Sequence, residues 1–174
     1  RPLSKRLNKT NLDVGAQNCH EGENYGAFTG HVNSKMLKNV GAKYVILGHS
    51  ENRQSGETDK LINQKIKSAL KSGLKVIFCV GETLKQKRKK ITKQILNKQI
   101  KLGLNEIKYK TNIIIAYEPV WSIGTGLIPK SKDLFDTINF IKKKMRKLKV
   151  IYGGSVNPKN VHELKSINNI DGFL

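Results

Sequence analysis

Two hydrophobic patterns alternate along the chain: short runs that are apolar at consecutive positions, and longer stretches with apolar residues every three or four positions. The short runs include Val-Ile-Phe-Cys-Val at 76–80 and Ile-Ile-Ile-Ala at 113–116, which are typical of strands buried on both faces of a parallel sheet. Six strands are predicted on this basis: 12–19, 43–47, 75–80, 112–117, 149–152 and 170–174.

The longer stretches predict amphipathic helices between these strands. Two helical faces are predicted: one carries Leu134, Ile138, Ile141 and Met145, and the other carries Leu61, Ile62, Ile66, Ala69 and Leu70. Repeated strand–helix units predict an α/β fold with a parallel sheet, either doubly wound or closed into a barrel. No linker or low-complexity segment interrupts the sequence, so we expect a single domain over residues 1–174.

Polar and glycine-rich motifs lie at the carboxyl ends of five of the six predicted strands: Gln17-Asn18, Gly48-His49-Ser50, Gly81-Glu82, Glu118-Pro119 and Gly153-Gly154-Ser155. In a barrel, the carboxyl ends of the strands converge on one active site. In an open sheet, they collect near a switch point instead. Contributions from five strands favour the barrel.

The net charge of +20 raises the question of a nucleic-acid partner. Of the 33 basic residues 28 are Lys, and Asn and Ile are also frequent, with 16 and 18 residues, so an A/T-rich coding bias accounts for the charge. The densest basic run, 85–90, contains no aromatic residue that could stack on a base. We therefore expect a solvated surface, no nucleic-acid partner and, because the apolar runs are short, no membrane span.

Metal and disulfide chemistry are not indicated by the two cysteines. Cys19 and Cys79 are too few for a disulfide framework and have no metal-ligand spacing, so no metal is expected. The chain begins Arg1-Pro2-Leu3 without the apolar core of a signal peptide. A reducing, cytoplasmic location is expected.

Two side chains are candidates for acid–base chemistry. Glu118 ends an apolar strand and is followed by Pro119; a carboxylate at such a strand mouth can have a raised pKa, which suits a general base. His49 follows the strand that ends at Gly48, and a Ser-Glu pair then opens a short helix whose N–H groups would favour a neutral imidazole. Taken alone, each residue is equally compatible with an ordinary structural role.

Glycine-rich segments supply candidate anion sites. Gly124 and Gly126 could form a backbone nest at the tip of a lid. Gly153 and Gly154 permit a close approach of the backbone to a ligand, and Ser155 offers both an N–H and a hydroxyl group. The predicted lid comprises Pro119, Val120, Trp121, Ser122, Ile123, Gly124, Thr125 and Gly126.

Taken together and in this order, these motifs resemble the triosephosphate isomerase family over nearly the whole chain, from about residue 12 to residue 174. The lid string and the string around His49 are highly specific to that family. The strings, each given with its first residue, are A-Y-E-P-V-W-S-I-G-T-G (116), V-I-L-G-H-S-E (45), V-G-A-Q-N (14), G-A-F-T-G (26), C-V-G-E-T (79) and I-Y-G-G-S-V (151).

The resemblance implies a TIM (β/α)8 barrel that interconverts dihydroxyacetone phosphate and D-glyceraldehyde 3-phosphate, a step of glycolysis and gluconeogenesis, through an enediolate and without a cofactor. The resemblance implies that Glu118 is the base, that His49 polarises the carbonyl and that Glu51 supports His49, since these are the roles known for the family.

Further roles are implied for the remaining motifs. The resemblance assigns the substrate phosphate to Gly124, Ser155 and the Gly153–Gly154 pair and makes Tyr152 the latch of the lid. It also implies a homodimer in which Thr29 approaches the active site of the partner subunit.

The sequence departs from the family pattern in the number of β-α units and at two local positions. No opening strand carries the family's Asn-x-Lys, and the chain stops before a later glycine pair, so about six of eight β-α units are expected, in an internal fragment that is inactive by itself. Asn52 stands where an Arg is usual, and Leu127-Ile128-Pro129 forms the second lid hinge in place of Lys-Thr-Ala.

Three alternative interpretations stay open at this point. One is an inactive fragment or pseudoenzyme of the same fold. The second is another phosphate-binding barrel, which would keep Gly153-Gly154-Ser155 but has no reason to carry the other strings. The third is a basic nucleic-acid-binding protein, which would require its Lys side chains to cluster on one face.

Overall fold

The computed structural model describes residues 2–174 as helices alternating with parallel strands. The strands are Gly15–Ala16 (β1), Tyr44–Leu47 (β2), Lys75–Val80 (β3), Ile113–Tyr117 (β4) and Lys149–Tyr152 (β5). The helices are Pro2–Leu7 (α1), Ser34–Asn39 (α2), Ser50–Gln54 (α3), Asp59–Lys71 (α4), Leu84–Arg88 (α5), Thr92–Gly103 (α6), Ser131–Lys144 (α7) and Val161–Ser166 (α8). The hydrogen-bonded strand order follows the chain, β1-β2-β3-β4-β5, as in consecutive β-α units.

The chain divides into two compact units. The first comprises the chain up to Phe78 together with Leu102–Ile113, and the second comprises Cys79–Lys101 together with Ile114–Leu174. The prediction of a single domain over 1–174 stays a prediction.

In the first unit, helix α4 packs against β2, which is paired with β3. β2 and β3 are parallel, with Tyr44 opposite Lys75 and Leu47 opposite Phe78. The predicted helical face is confirmed, since Ile62 and Ile66 on α4 are fully buried. α4 begins where the Thr58 side chain accepts a hydrogen bond from the Leu61 N–H group, which satisfies one of the free donors of the first turn.

In the second unit, β4 and β5 are parallel, and α7 packs against β5. Ile114 lies opposite Lys149, and Tyr117 lies opposite Tyr152. The predicted face of α7 is confirmed for Leu134, Ile138 and Ile141, which are fully buried, but the helix ends before Met145, which is its half-buried C-cap. The carboxyl ends of both strands therefore lie side by side and place Glu118 and Gly153 next to each other.

The prediction of a strand over residues 12–19 is wrong in length, because β1 has two residues. The Thr10 hydroxyl accepts a hydrogen bond from the Leu12 N–H group, and the Asn18 side chain accepts one from the Cys19 N–H group. These local side-chain bonds use backbone groups that a longer ladder would need.

The predicted strand at 170–174 is present as a parallel bridge between Tyr152 and Phe173. The Tyr152 N–H group donates to Gly172 O at 3.0 Å, but the Val150 N–H group donates to the Asp171 carboxylate at 2.7 Å. Because this side chain takes the place of a backbone acceptor, the pairing stays shorter than predicted. None of the helices in the described part of the chain is long and apolar enough to cross a membrane.

Candidate functional site

Glu118 occupies the carboxyl end of β4 and is buried, with 3% of its surface exposed. Its N–H group donates to Val80 O at 2.8 Å, which fixes its backbone against the end of β3. A methyl group at Gly153 would lie 2.8 Å from Glu118 Cγ, and one at Gly81 would overlap the Glu118 carbonyl. Gly153 therefore leaves room for the Glu118 side chain at the strand mouth, and Gly81 leaves room for the Glu118 backbone carbonyl.

The predicted lid, residues 119–126, begins directly after Glu118. Pro119 is followed by a 3-10 turn, Val120–Ser122, which we call the lid stem. Gly124 and Gly126 have φ angles of +67° and +76°, in the left-handed region that favours glycine. The predicted glycine-rich tip is therefore built on backbone that other residues adopt only under strain.

The lid tip docks on the loop after β5. The Gly126 N–H group donates to Ser155 Oγ at 3.1 Å, and the Ser155 hydroxyl in turn donates to Ser122 O. The Ser155 N–H group donates to the same Ser122 carbonyl at 3.1 Å. Ser155 thus joins the lid stem to the lid tip.

The predicted latch, Tyr152, contacts the lid stem. Its hydroxyl lies 3.0 Å from Ser122 Oγ. Because the single hydroxyl hydrogen of Ser122 is directed to Leu127 O, Tyr152 is the donor in this pair. A methyl group at Gly154 would overlap the Tyr152 hydroxyl and lie 2.7 Å from Ser122 Oγ, so this latch requires a glycine at 154.

Glu82 is a buried carboxylate to which the sequence reasoning assigned no role. The Trp121 indole N–H group donates to Glu82 Oε1 at 2.9 Å, and the Tyr117 hydroxyl lies 3.3 and 3.2 Å from the two carboxylate oxygens. Burial raises the pKa of Glu82, although the hydrogen bonds from Trp121 and Tyr117 oppose that shift. The only sequence signal was its position directly after a strand, within C-V-G-E-T.

Glu82→Gln should flatten the pH dependence of stability. The pKa of Glu82 lies above its ordinary value of 4.5 in the folded protein, so the native state holds this proton to higher pH than the unfolded chain. Its contribution to the free energy of unfolding is therefore full below the unfolded pKa and is lost as the pH rises through the folded pKa.

Urea unfolding of both proteins between about pH 4 and pH 7 measures this difference. The stability advantage of the parent over Glu82→Gln should decrease with rising pH, because Gln does not titrate. Glu163→Gln, which changes an exposed carboxylate on α8, is the matched control. Parallel stability curves for the parent and Glu82→Gln would contradict the prediction.

In the first unit, His49 is the N-cap of α3. Its Nδ1 atom accepts a hydrogen bond of 3.4 Å from the Glu51 N–H group, which assigns the ring proton of the neutral imidazole to Nε2. The expected short helix after His49, with an N–H group directed to the imidazole, is therefore confirmed. Glu51 Oε2 lies 3.7 Å from His49 Nδ1, and the Glu51 side chain is 83% exposed.

The loop that carries Thr29 lies at the surface of the first unit. Thr29 and Tyr25 are exposed, and Phe28 is 45% exposed while its ring contacts His20 at a centroid distance of 4.5 Å. A cleft of about 480 Å³ opens beside this loop; its lining includes Asn18, Cys19, His20, Glu57 and Lys65.

Cys19 and its neighbours do not provide a reactive or metal-binding thiol. Burial raises the pKa of the Cys19 thiol to about 11, so the thiolate that a metal or an electrophile needs is scarce. Among residues 2–174, no group of three or more His, Cys, Asp or Glu side chains could hold a metal ion.

The structure brings together the predicted residues that belong to the second unit: Glu118, Gly153, Gly154, Ser155, Tyr152 and the lid. His49, Glu51 and Thr29 belong to the first unit. The side-chain roles assigned to all of these residues stay predictions.

Comparisons with known proteins identify the chain. A family described as "Triosephosphate isomerase" matches residues 1–174. A triosephosphate isomerase from Carboxydothermus hydrogenoformans is 46% identical and is matched over 99% of this chain and 73% of its own length. One from Mycoplasmopsis pulmonis is 45% identical, over 97% of this chain and 68% of its own length.

The structural comparison agrees. The crystal structure of triosephosphate isomerase from Bartonella henselae matches 99% of this chain and 75% of its own chain, with a TM-score of 0.89 and 37% sequence identity. These matches place the chain among the α/β-barrel enzymes, of whose length it spans a part. It belongs to the triosephosphate isomerase family, and the predicted isomerase activity on triose phosphates is confirmed at the level of that family.

Proposed function

We propose that Glu118 is the base that moves a proton between two carbons of the triose phosphate. The burial of Glu118 between Gly81 and Gly153, directly before the lid, supports this role. Removal of a proton next to a carbonyl requires a positioned base and a donor to the developing oxyanion. A carboxylate that is buried beside Gly153, at a strand end whose backbone is hydrogen-bonded to Val80, needs little reorganisation before it accepts the proton.

His49 is proposed as the group that polarises the substrate carbonyl and passes protons between the two oxygens of the enediolate. Its Nδ1 atom accepts the Glu51 N–H group, so Nε2 carries the donor of the neutral ring. A neutral imidazole is a weaker acid than an imidazolium, and its N–H group can stabilise an oxyanion while the ring retains its proton. Glu51 is proposed to support His49 from the first turn of α3.

The substrate phosphate is proposed to bind at the lid tip, at Gly124, Gly153, Gly154 and Ser155. The contact between Gly126 and Ser155 supports this proposal, because it brings the glycine-rich lid tip against the glycine-rich loop after β5. Lid closure also protects the enediolate, which otherwise loses its phosphate in water.

Assay of the protein as its gene encodes it tests this proposal. Conversion of D-glyceraldehyde 3-phosphate should be measurable without added cofactor or metal, and glycerol 3-phosphate should inhibit it competitively. Glycerol, which lacks the phosphate, is the matched control and should not inhibit. A folded protein without activity above background, or equal inhibition by the two compounds, would overturn the proposal.

Tyr152→Phe should weaken the docked lid by removing one hydrogen bond to Ser122. We expect kcat/KM to fall by about twofold to tenfold, the range for one hydrogen bond. Steady-state kinetics measures the effect, and Tyr109→Phe at a residue that is 84% exposed is the control. An unchanged kcat/KM in Tyr152→Phe would contradict the proposed role of Tyr152 as the latch of the lid.

A homodimer is proposed, with Thr29 and the exposed Phe28 loop as its contact. Exposed aromatic residues beside a cleft are the kind of surface that a second copy of the chain can cover. Sedimentation of the protein at micromolar concentration should give twice the monomer mass, and Phe28→Asp should shift it toward the monomer. A parent protein that sediments strictly as a monomer would contradict this.

A cytoplasmic location is proposed from the small number of cysteines and from the phosphorylated substrate. Nucleic-acid binding is not proposed: basic residues are distributed over both units, including Lys35 and Lys67 in the first and Lys98 and Lys144 in the second. The expectation of a reaction without a cofactor stays a prediction that the assay above tests.

A further inference from the structure

Lys87 contacts the lid stem from a helix outside the lid. Its ammonium nitrogen lies 3.6 Å from the centroid of the Trp121 ring. α5, which carries Lys87, begins with a capping box in which Thr83 and Gln86 bind each other's backbone N–H groups. The base of the Lys87 side chain is therefore fixed relative to the chain that follows Glu82.

Trp121 is held on two different parts of its ring system. Glu82 accepts the indole N–H group at the ring edge at 2.9 Å, and the Lys87 ammonium lies over the ring face. The π face of an indole carries negative charge density, so a cation over it is attracted and a carboxylate at its N–H edge is also favourable. Each contact favours the same orientation of the ring.

The contacts at the lid stem coexist with a docked lid tip. Gly126 is bound to Ser155 and Ser122 to Tyr152 in the same structure that places Lys87 over Trp121. Since the stem and the tip belong to one short segment, an interaction that fixes the Trp121 ring also favours the position from which the tip reaches Ser155.

We propose that Lys87 is a positioning residue for the isomerase reaction, which stabilises the docked lid by holding the face of Trp121. This inference rests on the function proposed above for the lid. Lys87 touches neither substrate nor reacting atoms in this role. Two cation–π contacts elsewhere in the second unit are looser: the ammonium groups of Lys144 and Lys93 lie 5.3 and 5.8 Å from the centroid of the Phe140 ring.

Variants of the whole protein test the inference. Lys87→Met keeps an unbranched apolar chain over the ring but removes the cation, and Lys87→Arg keeps the cation. Lys93→Met removes one positive charge from the same unit without touching the lid. Lys87→Gln provides a second neutral variant should Lys87→Met fold poorly, and thermal unfolding verifies that each protein folds.

Lys87→Met should lower kcat/KM by about threefold to tenfold, the range for loss of one cation–π contact. Lys87→Arg should restore most of it, and Lys93→Met should match the parent. Binding of glycerol 3-phosphate should weaken in parallel, because the docked lid contributes to phosphate binding.

A partition measurement separates lid positioning from a general structural effect. An enediolate that is exposed to water breaks its C–O bond to phosphate, releases inorganic phosphate and leaves an enol that tautomerises to a dicarbonyl. The fraction of turnovers that release phosphate should rise in Lys87→Met and stay at the parent level in Lys93→Met. The fluorescence of Trp121, assigned by its loss in Trp121→Phe, should change on ligand binding less in Lys87→Met than in the parent.

Equal kcat/KM and equal phosphate release in Lys87→Met and the parent would overturn the inference. A loss that Lys87→Arg does not restore would also overturn it, because the cation would then not be the relevant group. Neither result contradicts the proposed function, provided that the parent isomerises the triose phosphate and Glu118→Gln does not. Inactivity of the parent itself would instead refute the proposed function.

Discussion

Replacement of Glu118 by Gln should lower kcat by about a hundredfold to ten-thousandfold, the usual contribution of a general base. Gln has nearly the shape of Glu and fits the space between Gly81 and Gly153, but it cannot accept the substrate proton. Because proton transfer occurs in the transition state, kcat and kcat/KM should fall together while the affinity for glycerol 3-phosphate changes little.

Steady-state kinetics in both reaction directions, with thermal unfolding as a test of folding, measures this result. Glu163→Gln removes an exposed carboxylate on α8 and should leave the kinetics at the parent level. An activity of Glu118→Gln within tenfold of the parent would show that another group is the base.

His49→Gln is expected to have the second-largest effect, a fall in kcat of about a hundredfold or more, as for loss of an oxyanion donor. The His49 side chain also caps α3, so part of the change should appear as a lower free energy of unfolding, of about 1 kcal/mol. The kinetic effect and the stability effect have different physical origins and are measured separately.

The matched control for His49 is His162→Gln, at an exposed histidine on α8. A substrate deuterated at the reacting carbon reports proton exchange between substrate and solvent. Loss of this exchange in His49→Gln would place His49 in the same proton-transfer steps as Glu118. A variant that changes only KM would make His49 a binding residue and contradict the proposed role.

The local pattern of apolar and polar residues was sufficient to predict the buried strands and the candidate residues at the strand ends. The apolar runs at 75–80 and 113–116 predict β3 and β4 because burial on both faces leaves no polar positions in a parallel strand. Glu118 and His49 stand out as candidates because each directly follows such a run. The lid glycines are equally visible in sequence, since φ angles near +70° favour glycine.

Strand lengths were predicted less well, for a physical reason. Asn18 and Asp171 bind backbone N–H groups with their side chains, at Cys19 and Val150, where the hydrophobic pattern predicts ladder pairing. Hydrophobic periodicity reports burial and contains no term for the competition between side-chain and backbone acceptors.

The sequence alone determined the parallel β-α order, the acid at the end of β4, the histidine after β2 and the glycine-rich lid, because each follows from residues that are neighbours in the chain. Tertiary structure decided which glycines are required for space. Gly81 and Gly153 face Glu118, and Gly154 faces Tyr152 and Ser122, although no positive φ angle marks these three positions.

Tertiary structure also joined Trp121 to Glu82 and Lys87, which lie 39 and 34 positions earlier in the chain. Such contacts depend on which strand ends meet, and a carboxylate or a lysine looks the same in sequence whether it faces solvent or an indole ring.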